Sequence, residues 1–361
     1  MSDNYNIAVF EGDGIGPEIM APTTALLEKL ANKAKSYSLS FNVLQAGAAY
    51  YAKTGESLPQ ESLKGARAAD AILLSAMGLP SVRYPDGTEI SPQIELRKEM
   101  NLYAGVRPVT VLPGQDSPIK IPEGQTIDFV LIRESTEGLF YSQGKGEVTE
   151  NEARETLVIT RETSEKLFNF SFELARRRKK SHNTRGQVTC VDKANVFRAF
   201  AFFRDIFDKI AKGHSDIETS HAYVDATALW MVQKPWSFDV LVTENMFGDI
   251  LSDLGAGIMG GLGLAPSADI GDNNAVFQPC HGSAPDIAGQ GVANPAAMIL
   301  SAAMMLEWLG HERDNSEMLA HADILRKAVY DVVIEGKILT RDLGGTATTA
   351  EFSDEVSNRL S

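Results

Sequence analysis

The segment "ENMFGDILSDLGAGIMGGLG" (244–263) sets Asp249 and Asp253 four residues apart in apolar sequence. Carboxylates at i and i+4 share a helix face and repel each other. Phe247, Ile250, Leu251 and Leu254 leave little room for a solvated pair. A divalent cation would turn the repulsion into coordination, and oxygen ligands without His or Cys suit Mg2+ or Mn2+. A third acid, Asp225 in "HAYVDATALW", reads either as a cap or hydrogen-bonded core residue, or as the completion of that carboxylate site.

Three arginines carry the complementary chemistry: Arg97 in "ELRKEM", Arg107 in "AGVRPV" and Arg133 in "VLIRES". One arginine among apolar residues is ordinarily a structural ion-pair residue. Three within a short span of an acidic chain suit a clamp for a di- or tricarboxylate. Lys193 in "CVDKAN" follows a strand-like run. Such a lysine is usually just exposed, but desolvation beside a metal would lower its pKa and make it a general base. "EGDGIGPE" (11–18) and "HGSAPDIAGQGVANP" (281–295) are Gly-rich turns before helices, where backbone N–H groups can approach phosphates. Neither has the GxGxxG or GxxxxGK[ST] spacing, so no Rossmann or P-loop fingerprint is present.

These groups need a scaffold, and short apolar runs alternating with helix-period stretches supply one. Residues 6–12, 41–46, 70–77, 128–135, 186–195 and 238–245 read as strands, and 17–34, 164–180 and 195–212 as helices. That alternation predicts an α/β architecture. The apolar stretch 295–310 predicts a buried helix stopped by Gly310, its methionines serving as core filler. Residues 111–126 read as a Pro/Gly-rich loop and 137–154 as an extended arm, while the basic tract 176–185 reads as a solvated helix end.

Length and charge bound the rest. The chain has 361 residues, enough for two domains. Its net charge of -14 argues against nucleic acid and anionic membrane as partners. Two cysteines outside any CxxC pair make a disulfide framework or zinc site an unlikely design. The start has no signal-peptide pattern and no apolar run is of membrane-spanning length, which leaves the cytoplasm as the expected compartment.

Taken together, "GDGIGPE", "LRKEMNLYAGVRP", "IRESTEG", "VDKAN", "YVDA", "TENMFGDILSDL", "APSADIG", the block 281–310 and "DLGGTAT" resemble the β-decarboxylating dehydrogenases. That family includes 3-isopropylmalate, isocitrate, homoisocitrate and tartrate/D-malate dehydrogenases. The resemblance runs from residue 6 to about 348 in family order. It implies a two-domain α/β fold distinct from the Rossmann fold, with the active site in a cleft. Residues 1–105 with 260–361 would form the larger, cofactor-side domain, and 106–259 the smaller domain, which builds a homodimer with shared sites.

Carried onto this chain, the resemblance makes Asp249 and Asp253 of one subunit and Asp225 of the other the ligands of Mg2+ or Mn2+. Arg97, Arg107 and Arg133 would hold the substrate carboxylates. Lys193, from the partner, would be the base, and Asn195 would touch substrate or nicotinamide. His281, Gly282, Ser283, Ala284, Pro285, Asp286, Ile287 and Asn294 would wrap the adenosine. Asp286 suits the free ribose hydroxyls and repels a 2′-phosphate, so NAD is the expected cofactor; Arg341 near "DLGG", a basic residue able to reach a phosphate, runs against this choice. The family's catalytic tyrosine position holds Phe140 here, so either the adjacent Tyr141 or another acid would be the proton donor. Ser91, Gln93 and Ile94 would face the variable C3 substituent, Ile94 suiting an aliphatic group and the other two a polar one. An isopropylmalate-like substrate leads, ahead of tartrate or D-malate and then isocitrate. A non-catalytic regulatory subunit would be expected to have lost Lys193 or the aspartates.

Overall fold

In the computed structural model, which describes residues 3–181 and 184–360, the apolar run of the first strand explains its own position. In β1 (Asp3–Phe10), Ile7 and Val9 point into one hydrophobic cluster, and Ala8 and Phe10 into another on the opposite face. A strand buried on both faces needs an unbroken apolar run. The chain continues through α1 (Gly16–Ala31), β2 (Tyr37–Val43), α2 (Ala48–Thr54), α3 (Gln60–Ala68), β3 (Ala71–Leu74), α4 (Pro92–Glu99), β4 (Ala104–Val111) and β5 (Ile127–Glu134). An exposed ribbon of β6 (Glu147–Val148) and β7 (Ala153–Arg154) follows, then α5 (Arg161–Ser181), β8 (Gln187–Asp192), α6 (Arg198–Ala211), β9 (Glu218–Tyr223), α7 (Val224–Gln233) and β10 (Val240–Thr243). Next come α8 (Asn245–Ile258), β11 (Pro266–Ile270), β12 (Ala275–Pro279), α9 (Ala296–Glu312), α10 (Ser316–Glu335) and α11 (Thr349–Asn358).

All but the ribbon strands join one ten-stranded sheet of order β2-β1-β3-β12-β11-β4-β5-β10-β8-β9. The flanking pairs are parallel, whereas β12-β11, β11-β4 and β4-β5 are antiparallel. This mixed centre sets β4 beside both β11 and β5 and so brings residues far apart in sequence to one place: Ala268 pairs with Val106, and Arg133 with Gly105. Helix α9 lies buried against β11 and β12, its Leu300, Met305, Leu306 and Leu309 inside the core. Each such leucine contributes about 1.5–3 kcal/mol by leaving water.

Three local expectations are corrected. Gly310 does not stop α9, which runs on to Glu312; a Cβ there would lie 2.7 Å from Leu319 Cδ2, so the glycine permits close helix packing. Ile250 is 63% exposed rather than enclosed, so α8 presents an apolar side chain outward next to Asp249 and Asp253. The basic tract is not uniformly solvated either. Arg178 is buried and donates to Asp239 Oδ1 at 2.9 Å and to the Asp128 carbonyl at 3.0 Å; His182 and Asn183 of that tract lie outside the described residues. No described helix is long and apolar enough to cross a membrane.

Candidate active site

Helix α8 begins with Glu244 as its N-cap, the side chain accepting from the Met246 and Phe247 amides at 3.1 and 3.3 Å. That cap satisfies two of the orphan N–H groups of the first turn. It fixes Asp249 near the helix start, facing the end of β5. Gly248 is the reason the approach is possible, because a Cβ there would sit 2.6 Å from both Cβ and Cγ of Arg133. Arg133 is buried; its Nε donates to Asn245 Oδ1 at 2.9 Å, and its Nη1 donates to Asp249. Burial, followed by the charge of Arg97, lowers the Arg133 pKa to about 10. Asp253 lies one turn further on. Desolvation and then the charge of Asp249 push its pKa up.

The remaining arginines converge on one residue that the sequence reading left without a role. Asp269 of β11 is fully buried and accepts from Arg97 Nε at 3.0 Å and from Arg107 Nη2 at 3.2 Å. Arg107 Nη1 donates to the Ala268 carbonyl at 2.9 Å, which ties the arginine to the strand carrying Asp269. Ser91 precedes α4, and Gln93 and Ile94 lie on it at i–4 and i–3 from Arg97, on the same helix face. The side-chain oxygen of Gln93 is buried without a partner. The structure thus brings Arg97, Arg107, Arg133, Asp249 and Asp253 into one electrostatically coupled group.

Lys193 and Asp225 form a separate pair. Lys193 follows β8 and its Nζ lies 2.5 Å from Asp225 Oδ1 in the first turn of α7. Asp192, buried beside Lys193, accepts from Arg204 at 2.7 Å and from the Ala194 amide at 2.8 Å, which fixes the loop carrying Lys193 and the exposed Asn195. Among the described residues no cluster of three or more His, Cys, Asp or Glu side chains could hold a metal ion within one chain. Asp249 and Asp253, one turn apart on α8, nonetheless offer the carboxylate oxygens that a hard divalent cation takes.

Tyr141 is not brought to the arginines. Its ring is 46% exposed with the Lys145 ammonium 4.4 Å from the centroid, whereas Phe140 lies 5.1 Å from the Arg133 guanidinium carbon.

The loop 281–294 is braced by "EGDGIGPE". The Ile15 amide donates to the Ser283 carbonyl at 2.8 Å, and a Cβ on Gly14 would collide with that same carbonyl. Glu18 accepts from the Gly289 and Ala293 amides at 3.2 and 3.1 Å. Asp13 accepts from the amides of Ala48, Ala49 and Gly78, each at 2.8 Å. The loop itself keeps ligand-ready groups. His281 Nε2 is buried without a partner while Nδ1 meets the Gly282 carbonyl at 3.0 Å, and burial lowers its pKa, keeping the ring neutral. Ala284 takes a φ of 36°, Pro285 and Asp286 are exposed, and Ile287 packs on the main core. Asn294 donates to Asp342 at 2.9 Å and accepts from the Ala296 amide at 2.9 Å, just before α9. An unpaired ring nitrogen and an exposed carboxylate fit the base and ribose of a dinucleotide. Asp13, Glu18, Asn245 and Asp269 were missed from sequence as functional supports. Their only signal was an acid or amide inside a Gly- or Ala-rich motif.

Comparison with characterised proteins supplies first the class. Residues 6–356 match the family described as isocitrate/isopropylmalate dehydrogenase, decarboxylating dehydrogenases acting on a CH–OH group. Two Methanocaldococcus jannaschii proteins are similar over nearly their whole length: a 3-isopropylmalate/3-methylmalate dehydrogenase, 42% identical over 99% of each chain, and a homoisocitrate dehydrogenase, 40% identical over 98% of this chain and 97% of that one. The crystal structure of isocitrate dehydrogenase from Methylococcus capsulatus superposes with a TM-score of 0.84 at 36% identity, covering 99% of both chains. This chain belongs to the isocitrate/isopropylmalate dehydrogenase family, and the α/β fold expected from the resemblance is the one observed.

Proposed function

We propose that the protein catalyses NAD-dependent, Mg2+- or Mn2+-dependent oxidative decarboxylation of a (2R)-2-hydroxy acid with a β-carboxylate, a 3-substituted malate of the isopropylmalate type. The observation that carries this reading is the coupled group of Arg97, Arg107, Arg133, Asp249 and Asp253. The arginines hold the two malate carboxylates and fix the C2–C3 bond. Asp249 and Asp253 hold the metal with Asp225 of the partner subunit. Lys193 of the partner subunit accepts the C2 hydroxyl proton, and Asn195 lies beside the substrate. A metal held there would supply a Lewis acid for the C2 oxygen, and NAD held by the 281–294 loop would supply the hydride acceptor. His281, Gly282, Ser283, Ala284, Pro285, Asp286, Ile287 and Asn294 form the adenosine loop, with Asp286 accepting from the ribose hydroxyls.

The homodimer reading is supported by an unpartnered apolar surface: Val196, Phe197, Leu229, Val232 and Ile250 are exposed, and β9 is a free sheet edge. In this reading residues 1–105 with 260–361 form the cofactor-side domain and 106–259 the dimerising domain. The antiparallel β4-β11 pairing links them.

One observation favours the second reading, tartrate or D-malate. The unpartnered Gln93 oxygen beside Ser91 suits a polar substituent at C3. The deciding experiment measures NADH formation across malates substituted at C3 by hydrogen, hydroxyl, methyl, isopropyl and carboxymethyl, with and without Mn2+. Highest kcat/KM for an alkyl substituent supports the primary reading. Preference for hydroxyl or hydrogen favours the second, and no Mn2+-dependent NADH with any of them rejects both.

A further inference from the structure

Successive side chains of a strand point to opposite faces of the sheet. Arg107 of β4 and Asp269 of β11 lie on the side of the candidate active site. Their neighbours Val106 and Ala268 lie on the other, where they floor a cavity of about 530 Å3. That volume is in the range of small-molecule sites, about 300–1,000 Å3. The walls come from parts of the chain far apart in sequence: Phe170, Leu174 and Arg177 of α5, Met304 and Trp308 of α9, and Tyr330 of α10. Phe170, Leu174, Met304 and Trp308 pack on the core yet remain half-buried, so the lining keeps large apolar surfaces uncovered.

Most charges around this cavity are satisfied. Arg178 pairs with Asp239 at 2.9 Å and Asp128 at 3.2 Å, Arg326 pairs with Glu307, and Lys166 pairs with Asp272 at 2.9 Å. Arg177 differs from the arginines on either side of it. Arg176 is taken by Glu173 and by Asp216 at 2.7 Å, whereas among the described residues the half-buried Arg177 has no carboxylate partner. The acid left on the lining, Glu312, is exposed at the end of α9, where salt and water screen it. A free guanidinium at the edge of an apolar cavity matches an anion with a hydrocarbon or aromatic body. The cavity is also one residue away from the substrate side. Arg107 Nη1 donates to the carbonyls of Val106 at 3.1 Å and Ala268 at 2.9 Å, the two residues whose side chains form the floor.

We infer that this cavity is a second, inhibitory ligand site that takes a monocarboxylate with an apolar body, its carboxylate on Arg177 and its body against Met304 and Trp308. A ligand packed on Val106 and Ala268 restrains the backbone that grips Arg107. It thereby favours the arrangement in which Arg107 is held by the Ala268 carbonyl and Asp269, and substrate must bind against that preference. The inhibition rests on the functional reading of Arg107 as a substrate contact; binding at the cavity does not.

The test uses the full chain with 4-phenylbutyrate as the probe and 4-phenyl-1-butanol as its neutral counterpart. Calorimetric titration should give a Kd of about 1 mM or below for the acid, and binding at least about fivefold weaker for the alcohol. Arg177→Gln should weaken the acid by about tenfold or more and leave the alcohol and the basal turnover unchanged. Met304→Trp, which fills the cavity, should weaken both probes. In steady-state kinetics the acid should raise the KM for the 3-substituted malate by about threefold or more in wild type and not in Arg177→Gln. That KM should level off as the acid saturates its site, whereas competition at the substrate arginines would raise it without limit. A KM that climbs without limit or does not change overturns the inference. So does acid binding that is absent at about 10 mM or indifferent to both variants. If wild type oxidises no 3-substituted malate at all, the functional reading falls, while the titrations still decide whether the cavity binds the acid.

Discussion

The Arg133 guanidinium donates directly to the Asp249 carboxylate, so the positive charge paired with this candidate ligand is an arginine. A cation arriving at Asp249 and Asp253 therefore replaces or shares that partner. In the proposed function, freeing Arg133 for a substrate carboxylate would link metal and substrate binding through one hydrogen bond. Asp249→Asn retains an acceptor for Arg133 and so should preserve the fold, with an unchanged circular dichroism spectrum. It removes one charged ligand, and Mn2+ affinity should fall by at least about tenfold. Unchanged Mn2+ affinity in a calorimetric titration would remove Asp249 from the ligand set.

Tyr141 supplies a second prediction. Its ring lies at the surface under Lys145, and the position over Arg133 is filled by Phe140. A proton donor must come within hydrogen-bond reach of the atom it protonates. Tyr141→Phe should accordingly leave kcat within about twofold, whereas a lost general acid costs about 10²–10⁴-fold. A loss of that larger size in steady-state kinetics would return Tyr141 to the proton-donor role.

What was legible in the sequence follows a physical division. Buried strands such as β5 and β10 announce themselves as apolar runs, and α9 as an all-round apolar helix. Asp249 and Asp253 stood out because like charges at helical spacing conflict with apolar neighbours. Strands β11 and β12 did not, since "PSADI" and "AVFQP" are short, mixed in polarity and held to the rest of the sheet by long-range pairing with β4 and β3. Asp269 was invisible for the same reason. An isolated aspartate in a short strand carries no periodicity, and its four donors come from residues 97, 107, 135 and 278. The grouping of Lys193 with Asp225, apart from the arginines, is likewise a product of sheet order rather than of any local pattern.

Glu134, next to Arg133, makes stability depend on pH. It is buried, and desolvation raises its pKa to about 7 despite hydrogen bonds from Thr136 and Glu137. A raised carboxyl pKa means the folded state binds the proton more tightly than the unfolded state. Stability from this group is complete below the unfolded pKa near 4.5 and is lost as pH rises through about 7. Glu134→Gln cannot ionise, so between pH 5 and about 8 its melting temperature should decline less steeply than that of wild type. The difference corresponds to on the order of 1–3 kcal/mol across the window. Parallel melting curves for the two proteins over that range would contradict the assignment.

The separation of Lys193 and Asp225 from Asp249 and Asp253 leads to the last prediction, that the working unit is a dimer with sites shared between subunits. Each chain then carries both halves of a site, but of two different sites. The exposed Val196, Phe197, Leu229, Val232 and Ile250 supply an apolar surface for the contact. Closure of that surface would exclude water around Lys193, the condition under which an ammonium loses its proton more readily. Lys193→Ala and Asp253→Asn should each be nearly inactive as homodimers. In a mixed dimer both lesions fall in one site, because Lys193 of one subunit serves the site that holds Asp253 of the other. The second site keeps an intact lysine and an intact aspartate. Co-refolding the two variants should therefore restore up to about half the wild-type activity per mixed dimer. The mixed species can be isolated through two affinity tags and assayed directly. If tagged heterodimers form and remain as inactive as their parents, Lys193 and Asp253 act within one chain and the shared-site assignment fails.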